Sequence, residues 1–249
     1  MSGHSKWSTI KRAKGIADDK RGQLFTKLGR EITVAARQGS PDPAVNSRLR
    51  LAIERARDSN MPKDNIERAI KRGSGADEGG AALQEIIYEG YGPGGVAILV
   101  EALTDNRNRT VSDIRGAFSR AGGNLGEAGS VAWQFEPRGL IVLDTADADP
   151  EELALRAMDS GAEDVTVDAG SVEVLTQPDQ LEEVRRALTE AKIAIASAEL
   201  SKQPKSTILL DESHAGQLLR LLDQLDELDD VQRVSSNADF PDEVLAAYA

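Results

Sequence analysis

The chain has 249 residues, with 30 Lys+Arg against 42 Asp+Glu, a formal net charge of -12, no cysteine and 4% aromatic residues. Without cysteine there is no disulfide framework, no thiolate chemistry and no Cys₂His₂ zinc site. No apolar run approaches the ~18 residues of a membrane span, and no apolar stretch of about 7–15 residues follows the first charges as a secretory signal would require, so a cytoplasmic protein without a membrane partner is expected.

Charge divides the chain sharply. Through Gly75 there are 17 Lys+Arg against 8 Asp+Glu, which leaves 13 against 34 from Ala76 onward. Such asymmetry suggests a basic module for a polyanion followed by an acidic body that repels one. Mere compensation of an acidic chain is the bland alternative, and the clustering of the positive charge favours the polyanion. The stretch MSGHSKWSTIKRAKG carries Lys6, Lys11, Arg12 and Lys14 and no acid. Residues 1–17 read as a flexible arm, with Gly3, Ser5 and Ser8 leaving it unordered until it binds. Trp7 either stacks on a base or docks the arm on the protein. His4 has no neighbouring ligand-type residue that would suggest a metal.

Residues 18–78 form a helical domain. In "DDKRGQLFTKLGREITVAARQG", Leu24, Phe25, Leu28, Ile32 and Ala35 recur at helical spacing,. Lys20, Lys27, Arg30 and Arg37 fall on the other side, at about 100° per residue. In "DPAVNSRLRLAIERARDSN" a second helix is predicted with Asp42 as N-cap, Pro43 at its first position and Val45, Leu49, Ile53 and Ala56 buried. A short third helix, "PKDNIERAIKRG", points Ile66, Ala69 and Ile70 inward, exposes Arg68, Lys71 and Arg72, and stops at Gly73. No helix presents a row of Asn, Gln and Arg suited to base edges, and no helix-turn-helix is recognisable. Lys6, Lys11, Arg12, Lys14, Lys20, Arg21, Lys27 and Arg30, with His4 and Trp7, are the candidate nucleic-acid contacts, the cations neutralising phosphates.

"GSGADEGG" reads as a linker, after which the period changes. "EIIYEG" and "VAILVEAL" are predicted strands joined by the turn "YGPGG". "TDNRNRTVSDIRGAFSRAGG" enters a helix, with Thr110 and Asp113 in capping-box spacing. Arg107 and Arg109 lie ahead of its N-terminus, where backbone N–H groups favour an anion, and are candidate anion contacts. "SVAWQF" and "GLIVLD" read as strands. A helix from about Pro150 to Ser160, strands "DVTVDA" and "SVEVLT", a helix "PDQLEEVRRALTEA", a strand near "TILLD", a Leu-rich helix "SHAGQLLRLLDQLDELDD" and a strand "VQRVSS" complete the chain. The fold class is α+β multidomain: a three-helix basic bundle followed by two α+β sandwiches, one inserted in the other. Residues 79–137 with 204–249 form one domain, and 138–203 the insertion.

Enzyme signatures are absent from the sequence. "GYGPGG" lacks the following helix of a dinucleotide site, and there is no phosphate-loop lysine, G-x-S-x-G or HExxH. Glu89, Glu101 and Asp105 are the only acids suggesting a metal-dependent nuclease, and in a chain of 42 acids that is weak,. No catalytic residue, metal or cofactor is assigned.

The segments "GHSKW", "IKRAKG", "DKRGQLFTKLGREI", "NSRLRLAIERA", "NMPKDNIERAIKRG", "YEGYGPGGVAILVEALTDNRNRT" and "GSVAWQFEPRG" resemble the YebC/PmpR family, related to the mitochondrial translational activator of cytochrome oxidase. The likeness spans essentially the whole chain. Gln23 stands where the family commonly has Lys, and Ser40-Pro41 replaces a more glycine-rich turn. The resemblance implies three domains, no enzyme activity and a nucleic-acid partner. That partner is DNA for a transcriptional regulator, or the ribosome and its RNA for a translation factor that relieves stalling. Oligomeric state is unassigned.

Overall fold

The computed structural model describes residues 18–75, 82–146, 148–168 and 171–248, with the backbone alone at 18–20, 168 and 242. Three helices open it: α1 (Asp18–Gln38), α2 (Ser47–Asp58) and α3 (Lys63–Gly73). Leu28, Ile32, Ala35, Leu49, Ile53, Ala56, Ile66 and Ala69 make their shared core, with Leu24 and Phe25 packed at its edge. Gly73 does more than stop α3. A Cβ there would lie 2.4 Å from the Thr33 carbonyl oxygen, and Thr33 Oγ1 donates to the Ala69 carbonyl at 3.2 Å, so α1 and α3 meet nearly backbone to backbone.

The start of α2 differs from the sequence reading. Asn46 is the cap, its Oδ1 accepting from Leu49 N–H at 3.0 Å. Its amide donates to the carbonyls of Ala35 and Ser40 at 2.9 and 2.7 Å. One buried side chain thus closes both the end of α1 and the start of α2. Asp42 instead forms a local turn, accepting from Ala44 N–H,. Val45, expected in the core, precedes the helix and is 74% exposed.

The middle domain holds an antiparallel sheet in the order β3-β1-β2-β9, from β1 (Gln84–Tyr91), β2 (Ala97–Thr104), β3 (Asn124–Leu125) and β9 (Val231–Ser236). One face packs on α4 (Arg107–Arg120) and α7 (Glu212–Asp226) through Ile98, Val100, Ile114, Phe118, Leu218 and Leu222. On the other face Ala97 and Leu99 meet Val131 and Phe135. Asn106 caps α4 by accepting from Arg109 N–H, so the Thr110–Asp113 capping box does not form. Short β8 (Ile208–Leu209) and β10 (Ala238–Asp239) pair in parallel, and α8 (Asp242–Tyr248) ends the described chain.

The third domain is inserted between these parts. Strands β4 (Phe135–Leu143) and β7 (Ile195–Pro204) run side by side from Phe135↔Pro204 to Leu143↔Ile195. They carry the chain out of the middle domain and back. With β5 (Asp164–Asp168) and β6 (Ser171–Thr176) they form a sheet in the order β5-β6-β4-β7. Helices α5 (Pro150–Asp159) and α6 (Leu181–Glu190) cover it over Ile141, Val172, Val174, Leu153, Val184 and Leu188. No described helix is long and apolar enough to cross a membrane.

"SVAWQF" is not a strand before Phe135. Residues Ala132–Gln134 form a 3₁₀ turn because an acid captures the backbone donors. The buried Glu89 carboxylate accepts from Gly129, Val131 and Ala132 N–H at 2.6, 2.7 and 2.7 Å. Burial alone pushes the Glu89 carboxyl up; the three N–H bonds override it and hold the group below the usual carboxylate range,. A depressed folded pKa adds stability that is complete above the unfolded value and lost as pH falls through the folded one. Glu89→Gln is therefore expected to lower stability by about 1–3 kcal/mol at neutral pH. Urea titrations should show the gap from wild type closing in acid.

Candidate nucleic-acid interface

The cations of the bundle fall into two populations. The first faces the acidic domains. Lys27 Nζ donates to the Asp226 carbonyl and lies 3.6 Å from its carboxylate. Arg30 Nη1 donates to Asp230 Oδ1 at 2.7 Å and to the Asp229 carbonyl at 2.6 Å. From α2, Arg48 pairs with Glu85 on β1. Arg50 reaches Glu182 on α6 at 3.5 Å, and Glu54 takes Arg185 of α6 at 2.6 Å. Lys27 and Arg30, expected on an open phosphate-binding face, are thus spent on docking. Helical periodicity separates core from surface; it does not say which surface meets another domain.

At the centre of this docking surface all three domains share one charge cluster. Arg55 (α2) pairs with Glu31 (α1) at 2.8 Å and with Glu199 (β7) at 3.2 Å. Arg233 (β9) lies 3.3 Å from both Glu31 and Glu199 and 3.8 Å from Glu101 (β2). Burial pushes the Glu31 carboxyl up, but the Arg55 and Arg233 guanidiniums outweigh it and hold the group below its ordinary value,. The Arg233 guanidinium is driven the other way, well above its ordinary value: burial opposes its charge, and Glu31, Glu199 and Glu101 prevail.

Asp230 is the second hub. Its carboxylate accepts from Arg109 Nη2 at 2.7 Å, Thr110 Oγ1 at 2.7 Å and Thr104 Oγ1 at 3.2 Å, besides Arg30. Burial raises the Asp230 pKa and these donors, Arg109 foremost, bring it below the usual range. Arg109 is held at once by Asp105 at 2.9 Å. It lines a cleft of about 450 Å³ with Gln23, Arg30, Asp113 and Glu227, where acids outnumber cations. Arg109, a candidate anion contact in the sequence, is therefore already neutralised. Arg107, the first residue of α4, stays exposed.

The second population points outward. Arg37, Arg57, Arg68 and Arg72 are exposed and form no ion pair among the described residues. Gly73, at the end of α3 just past Arg72, lies against Thr33 and Ala36 in the last turns of α1, one residue before Arg37. Arg21 is exposed on the first turns of α1, and Lys20 is on the same helix. His4, Lys6, Trp7, Lys11, Arg12 and Lys14 lie outside the described residues.

The acids weighed for metal-assisted cleavage are occupied elsewhere. Glu89 holds three backbone N–H groups, Glu101 faces Arg233 and Asp105 pairs with Arg109. Among the described residues no group of three or more His, Cys, Asp or Glu is placed to hold a metal ion.

Comparison with known proteins matches residues 5–76 to the TACO1/YebC protein N-terminal domain and residues 83–238 to the TACO1/YebC second and third domain. A probable transcriptional regulatory protein of Dehalococcoides mccartyi strain CBDB1 is 59% identical over 248 residues, covering 100% of this chain and 98% of that one. A probable transcriptional regulatory protein of Chloroflexus aurantiacus is 55% identical over 251 residues, covering 100% and 99%. The crystal structure of a conserved hypothetical protein from Aquifex aeolicus superimposes with a TM-score of 0.85 at 48% identity, over 90% of this chain and 92% of that one.

Removing Arg233 leaves Glu31, Glu101 and Glu199 facing one another with only Arg55 between them. Arg233→Met is expected to cost about 3–5 kcal/mol, the usual penalty for unpairing a largely buried charge, read by urea denaturation. Because Glu31 is depressed, its contribution to docking is complete above the ordinary carboxylate pKa and is lost as pH falls through the lowered value. Small-angle scattering should accordingly show the domains separating only in acid.

Proposed function

The chain belongs to the TACO1/YebC family, and we propose that it is a non-catalytic, nucleic-acid-binding regulator of gene expression; its relatives are named as probable transcriptional regulatory proteins. The observation that carries the reading is the division of the bundle's cations. Arg37, Arg57, Arg68 and Arg72 remain outward and unpaired among the described residues, while Lys27, Arg30, Arg48, Arg50 and Arg55 are taken by acids. The outward set, with Lys20, Arg21 and the basic arm Lys6, Lys11, Arg12 and Lys14, supplies a phosphate-neutralising surface. Trp7 in the arm stacks on a base or anchors the arm. The net negative charge of the other two domains repels a polyanion over much of their surface, so the polymer is steered to the bundle first.

Two targets fit. Relatives named as probable transcriptional regulatory proteins favour DNA. The composition of α3 favours structured RNA, including that of the ribosome. Its exposed face carries Arg68, Lys71 and Arg72 beside Asp64 and Glu67, a set that grips phosphates and lacks the Asn or Gln row that reads bases in a major groove.

Affinity of the full chain, of a form lacking residues 2–17 and of Arg68→Ala/Arg72→Ala should be measured on promoter DNA, random DNA and ribosomes across a salt series. The double variant is expected to reduce the log–log salt slope by about 2, one unit for each lost phosphate contact. Equal affinity for all DNA sequences alongside tight, arm-dependent ribosome binding would exclude a sequence-specific transcription factor. Tight binding to one DNA sequence without ribosome association would exclude the translational role. A slope unchanged in both variants removes the basic surface, and with it the proposal.

A further inference from the structure

The second tryptophan is in an unusual place. Trp133 sits on the 3₁₀ turn before β4 and is 67% exposed, although a large aromatic side chain is normally placed where its surface is buried. Its indole N–H donates to the Ser130 carbonyl at 3.2 Å. The Tyr91 hydroxyl, on a ring 39% exposed, donates to that same carbonyl at 3.0 Å. Two aromatic side chains therefore converge on one oxygen, with their polar atoms used internally and apolar ring surface left open to solvent.

The platform beneath them is fixed. The Glu89 carboxylate clamps Gly129, Val131 and Ala132. Gln134 accepts from Lys205 N–H at 2.8 Å through its carbonyl and from Asn237 Nδ2 at 3.1 Å through its side chain. Lys205 Nζ donates to the Trp133 main-chain carbonyl at 2.9 Å, which holds an exposed cation on the same residue that carries the indole; two further ammonium donors remain for an anion. A rigid ring loses little entropy on binding.

We propose that Trp133 and Tyr91, with Lys205, form a stacking site for an unpaired base of single-stranded nucleic acid, the lysine meeting the adjoining phosphate. The proposal rests on the nucleic-acid reading above and adds a contact on a different domain. Stacked bases are held by rings of this kind with cations beside them. A protein partner fits less well. Even fully covered, the two rings bury about 150–250 Å² each, short of the ~800 Å² per side of a stable protein interface. The site is also distinct from the bundle surface. The bundle grips β1 at Glu85, six residues before Tyr91, and six residues of strand extend about 20 Å.

Trp7 and Trp133 are the only tryptophans, so the full-length Trp7→Phe protein reports on Trp133 alone. It should be titrated with single-stranded dodecamers of adenylate and of uridylate and with a hairpin duplex, while fluorescence anisotropy of labelled nucleic acid follows binding independently. Single strands are expected to quench Trp133. Trp133→Ala should weaken single-strand binding about tenfold with an unchanged salt slope, because no phosphate contact is lost, and should leave duplex affinity as it was. Trp133→Phe, which keeps a ring, should recover most of the loss. The ring is exposed, so Trp133→Ala is expected to unfold at the wild-type urea midpoint.

Nucleic acid that binds by anisotropy without moving Trp133 emission, and with the same affinity for Trp133→Ala, overturns this site and leaves the basic surface standing. An emission shift that follows protein concentration alone assigns the rings to a second copy and overturns it as well. No binding to any nucleic acid at any salt removes both proposals.

Discussion

The arrangement of the three domains depends on one cluster of charge. Glu31 and Arg55 come from the bundle, Arg233 and Glu101 from the middle domain and Glu199 from the inserted domain, with each guanidinium within 3.3 Å of both Glu31 and Glu199. Taking such groups out of water costs several kcal/mol each, and only close pairing and shared hydrogen bonds offset that cost. A cluster of this kind tolerates few geometries. A greasy interface would allow the bundle to slide, whereas here a shift of a few ångströms leaves a carboxylate unpaired. Asp230 repeats the principle at the neighbouring edge, fixing Arg30 of α1 against Arg109 and Thr110 of α4.

The cluster changes the meaning of the charge asymmetry. A net of +9 followed by -21 suggests attraction of a polyanion by one part and repulsion by the other. Both hold in outline, yet much of the opposite charge is matched within the molecule. Asp226, Asp230, Glu85, Glu182 and Glu199 each take a cation from the bundle. The acidic body is a docking partner first. What remains for an external polymer is the outward set, smaller and more sharply located than a count of lysines and arginines suggests.

Local physics was legible in the sequence, and contacts between distant segments were not. The stripe Leu28–Ile32–Ala35 and the turn at Gly94 and Gly95 that separates β1 from β2 follow from periodicity and turn chemistry within a dozen residues. Asn46 was harder, because its advantage over Asp42 as a cap is that it also closes the end of α1, a tertiary reason. "SVAWQF" has strand propensity, and the override comes from Glu89, forty residues earlier in the chain. Lys27 and Arg30 look like their outward neighbours Arg21 and Arg37 in every local respect; only the position of Asp226 and Asp230, about 200 residues away, divides them. Trp133 passed as a strand residue for the same reason as its segment did.

These divisions bear on how a polymer can be held. The docked cations cannot serve a phosphate without leaving their carboxylates; for Arg30 and Arg55, whose partners Asp230 and Glu199 are largely buried, the charge left unpaired costs about 3–5 kcal/mol, against at most about 1 kcal/mol for an exposed pair gained. Undocking either of these two arginines to bind one phosphate is therefore unfavourable by several kcal/mol. The balance favours a rigid body that presents the outward cations as they stand. On such a body the separation between the bundle and the Tyr91 end of β1 is fixed by the sheet itself, at about 20 Å from Glu85 to Tyr91. A ligand that reaches both the outward cations and the rings must bridge two surfaces that do not move toward each other, which selects for extended single strands over compact ones.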